Sequence, residues 1–115
     1  MTYCKLEIYV PSSAAEAVLQ AVAAAGAGHL GNYDSCAWTT SGIGRFRPLS
    51  GSHPSIGSVG RLEKVAEVKI ETFCPQTALP KVLAALRAAH PYEQPAYYLT
   101  PVCLDEKEFE DAALH

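Results

Sequence analysis

Two strand-then-helix units in tandem predict an α+β fold. It is a ferredoxin-like two-layer sandwich, a duplicated βαβ forming an antiparallel sheet with two helices on one face. Three observations carry this prediction. The segment Lys5-Leu6-Glu7-Ile8-Tyr9-Val10-Pro11 returns 64 residues later as Lys69-Ile70-Glu71-Thr72-Phe73-Cys74-Pro75. The alanine-rich stretches 14–25 and 78–89 follow in the same frame, and nine of the 22 pairs from Lys5/Lys69 to Gly26/His90 are identical. Apolar spacing changes from period two before each proline to helical spacing after it, which marks a strand feeding a helix. The repeat fixes a scaffold and leaves the chemistry open, because this superfold hosts many unrelated activities.

The first strand is expected over 3–10, where Cys4, Leu6, Ile8 and Val10 alternate with Tyr3, Lys5, Glu7 and Tyr9. Pro11 cannot donate to a ladder and ends it. Ser13 followed by Glu16 reads as a capping box for a helix reaching Ala25, with Val18, Leu19 and Val22 as its apolar stripe and Gly26 and Gly28 as its stop. Tyr33, Trp38, Thr39 and Thr40 give 33–40 the composition of a second strand. The third strand is expected within 62–74, strongest from Val65. After Pro75 a second helix begins, with Thr77 as the expected cap, Pro80 in the first turn and Val82, Leu83 and Leu86 as the stripe. His90-Pro91 ends it, since the residue before a proline avoids helical geometry. A last strand over 96–104 leaves an acidic tail, 105–115, that forms a short helix or stays disordered.

At 115 residues the chain is expected to form one domain, 1–104, plus that tail. Its net charge of −3 is concentrated at the end: 105–115 hold five acids and one lysine, whereas 1–104 hold eight Lys/Arg and seven Asp/Glu. A balanced body excludes non-specific nucleic-acid binding, which needs a concentrated basic face. No apolar run reaches the roughly 18 residues that span a bilayer, and the first residues lack the pattern of a secretory leader. The four cysteines are scattered without metal-type spacing, so reduced thiols and a cytoplasmic location are expected, with Cys4 and Cys74 as small buried hydrophobes.

The outward parity of the strands places Tyr3, Tyr9 and Phe73 among Lys5, Glu7, Lys69 and Glu71. That face has no helix to cover it, and aromatics there suggest burial against sister copies. Between the second and third strands, 41–61 is far longer than a hairpin turn and holds five glycines, two prolines, three arginines and His53. Arg45 to Pro48 and Ser58 to Leu62 could extend the flanking strands. Arg45, Arg47, Arg61 and His53 could grip an anion, or the loop could pack on a partner protein through Phe46, Leu49 and Ile56. The turn His90-Pro91-Tyr92-Glu93-Gln94-Pro95-Ala96-Tyr97 is the other dense cluster. Tyr92 and Glu93 are candidate ligand contacts. Glu93 could transfer protons or hold backbone amides, and His90 could cap the second helix. His29, Cys36, His53, His90 and Glu93 have the chemistry to bind copper or zinc if the fold gathers them.

Lys5-Leu6-Glu7 with Val10-Pro11, Ala25-Gly26-Ala27-Gly28 with Gly31-Asn32-Tyr33-Asp34 and Cys36, Phe46-Arg47-Pro48, Gly57 with Gly60, Leu62-Glu63, and the His90–Tyr97 turn together resemble the YqfO-type insert domain of Nif-three-like proteins over residues 3–102. The His-Pro-Tyr-Glu turn is also similar to that of CutA, and the plan resembles CutA and the PII signalling proteins. The resemblance implies a ferredoxin-like trimer. It also implies a partner-contacting loop after the second strand and ligands in clefts between subunits. CutA adds an association with divalent copper. The di-metal domains that flank the insert in full Nif-three-like proteins are not recognised here, so their hydrolase or cyclohydrolase activity is not expected. The expectation is a non-enzymatic, homo-oligomeric binding or regulatory module. The alternatives are a divalent-metal protein with an otherwise unknown cofactor, and a small enzyme using Glu93.

Overall fold

The computed structural model describes residues 2–105, 107 and 110. Four strands and two helices follow in the order β1 (Tyr3–Pro11), α1 (Ala15–Ala24), β2 (Trp38–Phe46), β3 (Glu63–Pro75), α2 (Leu79–Ala89) and β4 (Ala96–Val102). The sheet order is β2-β3-β1-β4, with every neighbouring pair antiparallel. Both helices pack on one face, so the predicted sandwich is the fold. The acidic tail lies largely outside the described residues.

The duplication explains the core. Leu6 and Ile70, Val10 and Cys74, Val18 and Val82, and Val22 and Leu86 are equivalent positions in the two copies, and all are buried. The period-two pattern of β1 puts Cys4, Leu6, Ile8 and Val10 under the helices, and the stripes of α1 and α2 close over them. Each fully buried aliphatic side chain contributes roughly 1.5–3 kcal/mol by leaving water. The repeat is broken once inside this layer: Ile8 has Thr72 as its counterpart, and the Thr72 hydroxyl donates to the Cys36 carbonyl at 2.8 Å.

Three local expectations are corrected. The helix caps are not side-chain caps. A 3-10 turn precedes each helix, Ser12–Ala14 before α1 and Gln76–Ala78 before α2, and the residues at the cap positions are Ala14 and Ala78. Ser13 and Thr77 are absorbed into those turns. Glu16 accepts a long 3.5 Å hydrogen bond from Gln20 instead of reaching back.

The second strand is also displaced along the chain. Residues 33–37 are not strand. Leu30 and Tyr33 bridge a tight turn, and Ser35 has a positive φ of 59°. Gly28 anchors this stretch: its N–H donates to the Phe73 carbonyl at 2.7 Å and its carbonyl accepts the Cys36 N–H at 2.9 Å. Its φ of 76° and the nearness of the Cys36 backbone leave no room for a side chain. The strand proper begins at Trp38 and continues through the glycines, so the connecting stretch is 47–62 rather than 41–61.

The third correction concerns His90. It occupies the position after α2 in extended geometry, φ −77° and ψ 130°, with its N–H on the Leu86 carbonyl. Its ring turns to β1 rather than to the helix end.

On the helix-free face, Glu7 pairs across β1–β3 with Glu71, and Lys5 and Lys69 flank them. Lys5 Nζ lies 3.4 Å from Glu7 and 3.0 Å from Glu71, and Lys69 Nζ lies 3.8 and 3.5 Å from the same two carboxylates. Around this quartet Tyr3, Tyr9 and Phe73 are half-buried, while Trp38 and Tyr98 remain 70% and 61% exposed. Beyond Glu67 the β2–β3 ladder outruns β1 and projects as a two-stranded ribbon, giving extents of 49 × 29 × 24 Å.

Candidate ligand cleft

The two dense clusters of the sequence meet at the base of that ribbon. The His90 ring places the second one. Its Nε2 lies 2.7 Å from the Tyr9 carbonyl, and its Nδ1 accepts the Tyr92 N–H at 3.1 Å. Because Nδ1 accepts, the ring hydrogen sits on Nε2 and donates to β1. The turn is thereby pinned to the sheet, and the Tyr92 ring lies edge-on to Phe46 with centroids 5.5 Å apart.

The Tyr92 hydroxyl donates to Glu67 Oε2 at 2.8 Å. Glu67 lies opposite Gly42 in the ladder, but its carboxylate extends over Gly44, where a Cβ would collide with it. The missing side chain at Gly44 therefore seats a carboxylate that is only 9% exposed. Burial first, then the hydrogen bond and negative charge of Glu67, hold the Tyr92 phenol well above its usual range. Tyr92 therefore stays a neutral donor.

The stretch 47–62 forms a strap over this end. Gly60 N–H donates to the carbonyl of buried Pro48 at 2.7 Å and closes its base. The Ser52 hydroxyl and N–H cap the Leu49 carbonyl at 2.7 and 3.1 Å. Glu93 clasps the strap from the other side, its two oxygens accepting the His53 N–H at 2.6 and 3.3 Å. The cleft between them is open to solvent on one side and has a volume of about 270 Å³, walled mainly by Tyr9, Phe46, Pro54, Ile56, Tyr92 and Ala96.

Four of the six candidate ligand residues, Arg45, Arg47, Tyr92 and Glu93, line this cleft. His53 does not line it, although its backbone N–H holds Glu93, which does. Arg61 does not line it. Its side chain is 78% exposed and lies 3.8 Å from Glu63. The five candidate metal ligands are not brought together. Among the described residues, no group of three or more His, Cys, Asp or Glu side chains converges. His90 uses both ring nitrogens, His29 is exposed, and Cys36 lies beside a separate hollow on the flank of α1. Arg45 and Arg47 form no ion pair among the described residues.

Sequence reasoning missed Glu67. Its parity matches that of Glu63, Lys69 and Glu71, so it reads as one more outward charge. The signal lay in Gly44, a strand glycine that marks a close approach of another group, but with 41–61 read as a loop it could not be recognised as one.

Comparison with known proteins places this arrangement among relatives. No family model matches the chain. A protein named "GTP cyclohydrolase 1 type 2 homolog" from Mycobacterium tuberculosis is 53% identical over 93 residues, covering 81% of this chain and 24% of that protein. The protein of the same name from Bacillus subtilis is 48% identical over 98 residues, covering 85% and 26%. The chain thus spans about a quarter of the length of the curated relatives it matches. A solved Bacillus cereus protein related to NIF3 superposes with a TM-score of 0.76 at 42% identity, covering 88% of this chain and 26% of that one. CutA from Archaeoglobus fulgidus, named a periplasmic divalent cation tolerance protein, superposes with a TM-score of 0.64 at 18% identity, covering 95% and 92%. The resemblance read from the motifs therefore holds: the chain is homologous to a segment of NIF3-related proteins and has the fold of CutA.

Proposed function

From that homology and fold, we propose a self-associating binding module that is not an enzyme, with its ligand cleft beside the surface that sister copies cover. Tyr9 carries this reading. It lines the cleft and stands edge-on to Tyr98 on the helix-free face, ring centroids 5.8 Å apart and planes at 83°. A neighbour seated on Trp38 and Tyr98 would also wall the cleft. The cyclohydrolase name belongs to relatives about four times as long, and Glu93 is engaged in holding the strap rather than poised over a reacting group. We favour a trimer in the cytoplasm, where four unpaired cysteines remain reduced, without nucleic-acid or membrane partners. The strap is available to a protein partner through exposed Leu49.

Sedimentation velocity at micromolar concentration tests this. The expected result is a single species larger than one chain that Tyr98→Glu shifts to monomer. A wild-type monomer with water-exposed Trp38 emission would overturn it. The divalent-cation name of CutA motivates one alternative, a copper or zinc site completed between copies. Metal analysis of protein purified without a tag distinguishes it, and a stoichiometric ion lost on His53 or Cys36 substitution would establish it.

A further inference from the structure

Resting on the reading of this chain as a binding module, we propose that the bare face of the β2–β3 ribbon docks an acidic segment of another protein, one that interleaves carboxylates with aliphatic side chains. Exposure alternates along both strands of the ribbon. Gly44, Phe46, Val65 and Glu67 lie on the side that the strap and the His90–Tyr97 turn cover, and they are buried or half-buried. Ile43, Arg45, Arg47, Leu62, Lys64 and Ala66 lie on the other side, and all six are exposed. Arg45 and Arg47 thus border the cleft along the chain but turn their side chains to the opposite face. That face carries three cations and no acid. Arg45 stands directly opposite Lys64 in the ladder. Opposed like charges destabilise a strand pair. The other such pair, Glu7 and Glu71, is bridged by two lysines, whereas Arg45, Arg47 and Lys64 form no ion pair among the described residues. Carboxylates brought to this face would relieve a repulsion that the chain leaves standing.

The apolar residues between the cations choose the class of partner. Ile43 is 67% and Leu62 54% exposed. Aliphatic side chains gain nothing from a hydrated phosphate, and the face holds no aromatic ring on which a base would stack. A second copy does not supply the acids. Within residues 2–104, Glu7, Glu71 and Glu63 stand beside cations, Glu67 is buried and Glu93 holds the strap, which leaves Glu16 and Asp34. The acidic stretch 105–115 starts at the wrong end of its own molecule. β4 ends at Val102 opposite Tyr3, whereas the ribbon leaves the sheet beyond Pro11, roughly 27 Å away along β1. Six side chains are few beside the roughly 20–30 residues that each partner gives to a stable interface, so the complex is weak and salt-sensitive.

Fluorescence anisotropy of a labelled peptide in which glutamates alternate with leucines, titrated with the full chain, tests this. The expected outcome is saturable binding that molar salt abolishes and that a peptide with glutamine in place of glutamate loses at least tenfold. Arg45→Glu and Lys64→Glu should each weaken the peptide at least tenfold, and Ile43→Ser at least threefold. Lys81→Glu, an exposed charge on α2, should change it less than twofold. Lys64→Glu should also raise the melting temperature, because it turns an opposed like pair into an ion pair; a lysine kept for stability would lower it. Equal binding of the glutamine peptide, or affinity unchanged in both ribbon reversals, overturns the proposal. So does tighter binding of oligothymidylate than of the acidic peptide. A tenfold gain on deleting 105–115 also overturns it, by giving the face to the chain's own acidic stretch. If Lys64→Glu dissociates the oligomer in sedimentation velocity, the face is a contact between copies: this proposal falls and the self-associating module stands. An intact oligomer that ignores the peptide removes the acidic segment alone, and a wild-type monomer that binds it removes self-association alone.

Discussion

Glu7 and Glu71 stand directly opposite each other across the β1–β3 ladder, and each is bridged by both Lys5 and Lys69. Directly opposed like charges would destabilise the sheet. The duplication resolves this, since the same repeat that sets glutamate against glutamate supplies one lysine from each copy.

A pH prediction follows from this quartet. The hydrogen bond from Lys5 first, then the positive charges of Lys5 and Lys69, hold the Glu71 carboxyl below its ordinary 4.5, against the opposing effect of burial. A depressed carboxyl stabilises the fold above its unfolded value and loses that contribution as pH falls through the folded one. Lys5 is raised above its ordinary 10.5, mainly by hydrogen bonds to Glu71 and Glu7, so its contribution is complete below that value and is lost as pH rises past the folded one. Thermal melts should therefore plateau between these limits and fall on both sides. Glu71→Gln should flatten the acid limb, and molar salt should shrink the contribution because the groups are only half-buried within one chain. An acid limb of unchanged slope in Glu71→Gln would contradict this account.

The Tyr92–Glu67 hydrogen bond should be visible in stability. Tyr92→Phe keeps the ring against Phe46 and removes the donor, leaving a buried carboxylate without a hydrogen-bond partner. The expected cost is about 1–3 kcal/mol in urea unfolding with an unchanged slope against denaturant. Spectroscopic titration of the wild type should show one tyrosine that ionises above the others, and Tyr92→Phe should remove that one. A variant as stable as wild type would show that the bond is not formed in solution.

Gly42 and Gly44 form a matched pair. Both lie in β2, yet a Cβ at Gly42 meets nothing within 4 Å, whereas one at Gly44 collides with the Glu67 carboxylate. Gly44→Ala should cost about 1–3 kcal/mol by forcing Glu67 away from Tyr92. Gly42→Ala should be neutral or stabilising, because it removes backbone freedom from the unfolded chain. The double variant Gly44→Ala with Glu67→Ala should cost less than the sum of the two single changes. Strict additivity would mean that the two residues do not meet.

The repeat made the layers legible because burial in a two-layer sandwich follows strand and helix period. Val18/Val82 and Val22/Leu86 could be paired on paper, and all four are buried in the one core. What the sequence hid depended on contacts between its halves. Gly42 and Gly44 looked like loop residues because glycine weakens a strand. Only the fold shows the β3 partners that hold them in register and the Glu67 side chain that occupies the space at Gly44. Ser13 and Thr77 had the chemistry of caps, but the prolines before them start 3-10 turns that shift the helix starts beyond both. Arg45, Arg47, Tyr92 and Glu93, singled out for their chemistry in dense polar stretches, line one cleft. Glu67 was missed because its role depends on a tyrosine 25 residues away.

Gly28 offers the sharpest test of the segment that was mistaken for strand. Its two backbone hydrogen bonds tie 28–36 to β3, and the Cys36 carbonyl that results is the acceptor for the Thr72 hydroxyl. A Cβ at Gly28 would lie 2.5 Å from the Cys36 carbonyl oxygen, on a backbone whose φ of 76° already disfavours a side chain. Backbone cannot swing away as a flexible side chain can, so Gly28→Ala should displace the whole tether. The expected loss exceeds that of Gly44→Ala, because strain of about 1–3 kcal/mol for the residue's conformation adds to the steric clash and the lost hydrogen bonds. Hydrogen exchange should locate the damage: faster exchange at the Gly28 and Cys36 amides, with the β1–β4 ladder protected as before. If Gly28→Ala melted with wild-type stability and kept those amides slow, the segment would not be tethered to the sheet in this way.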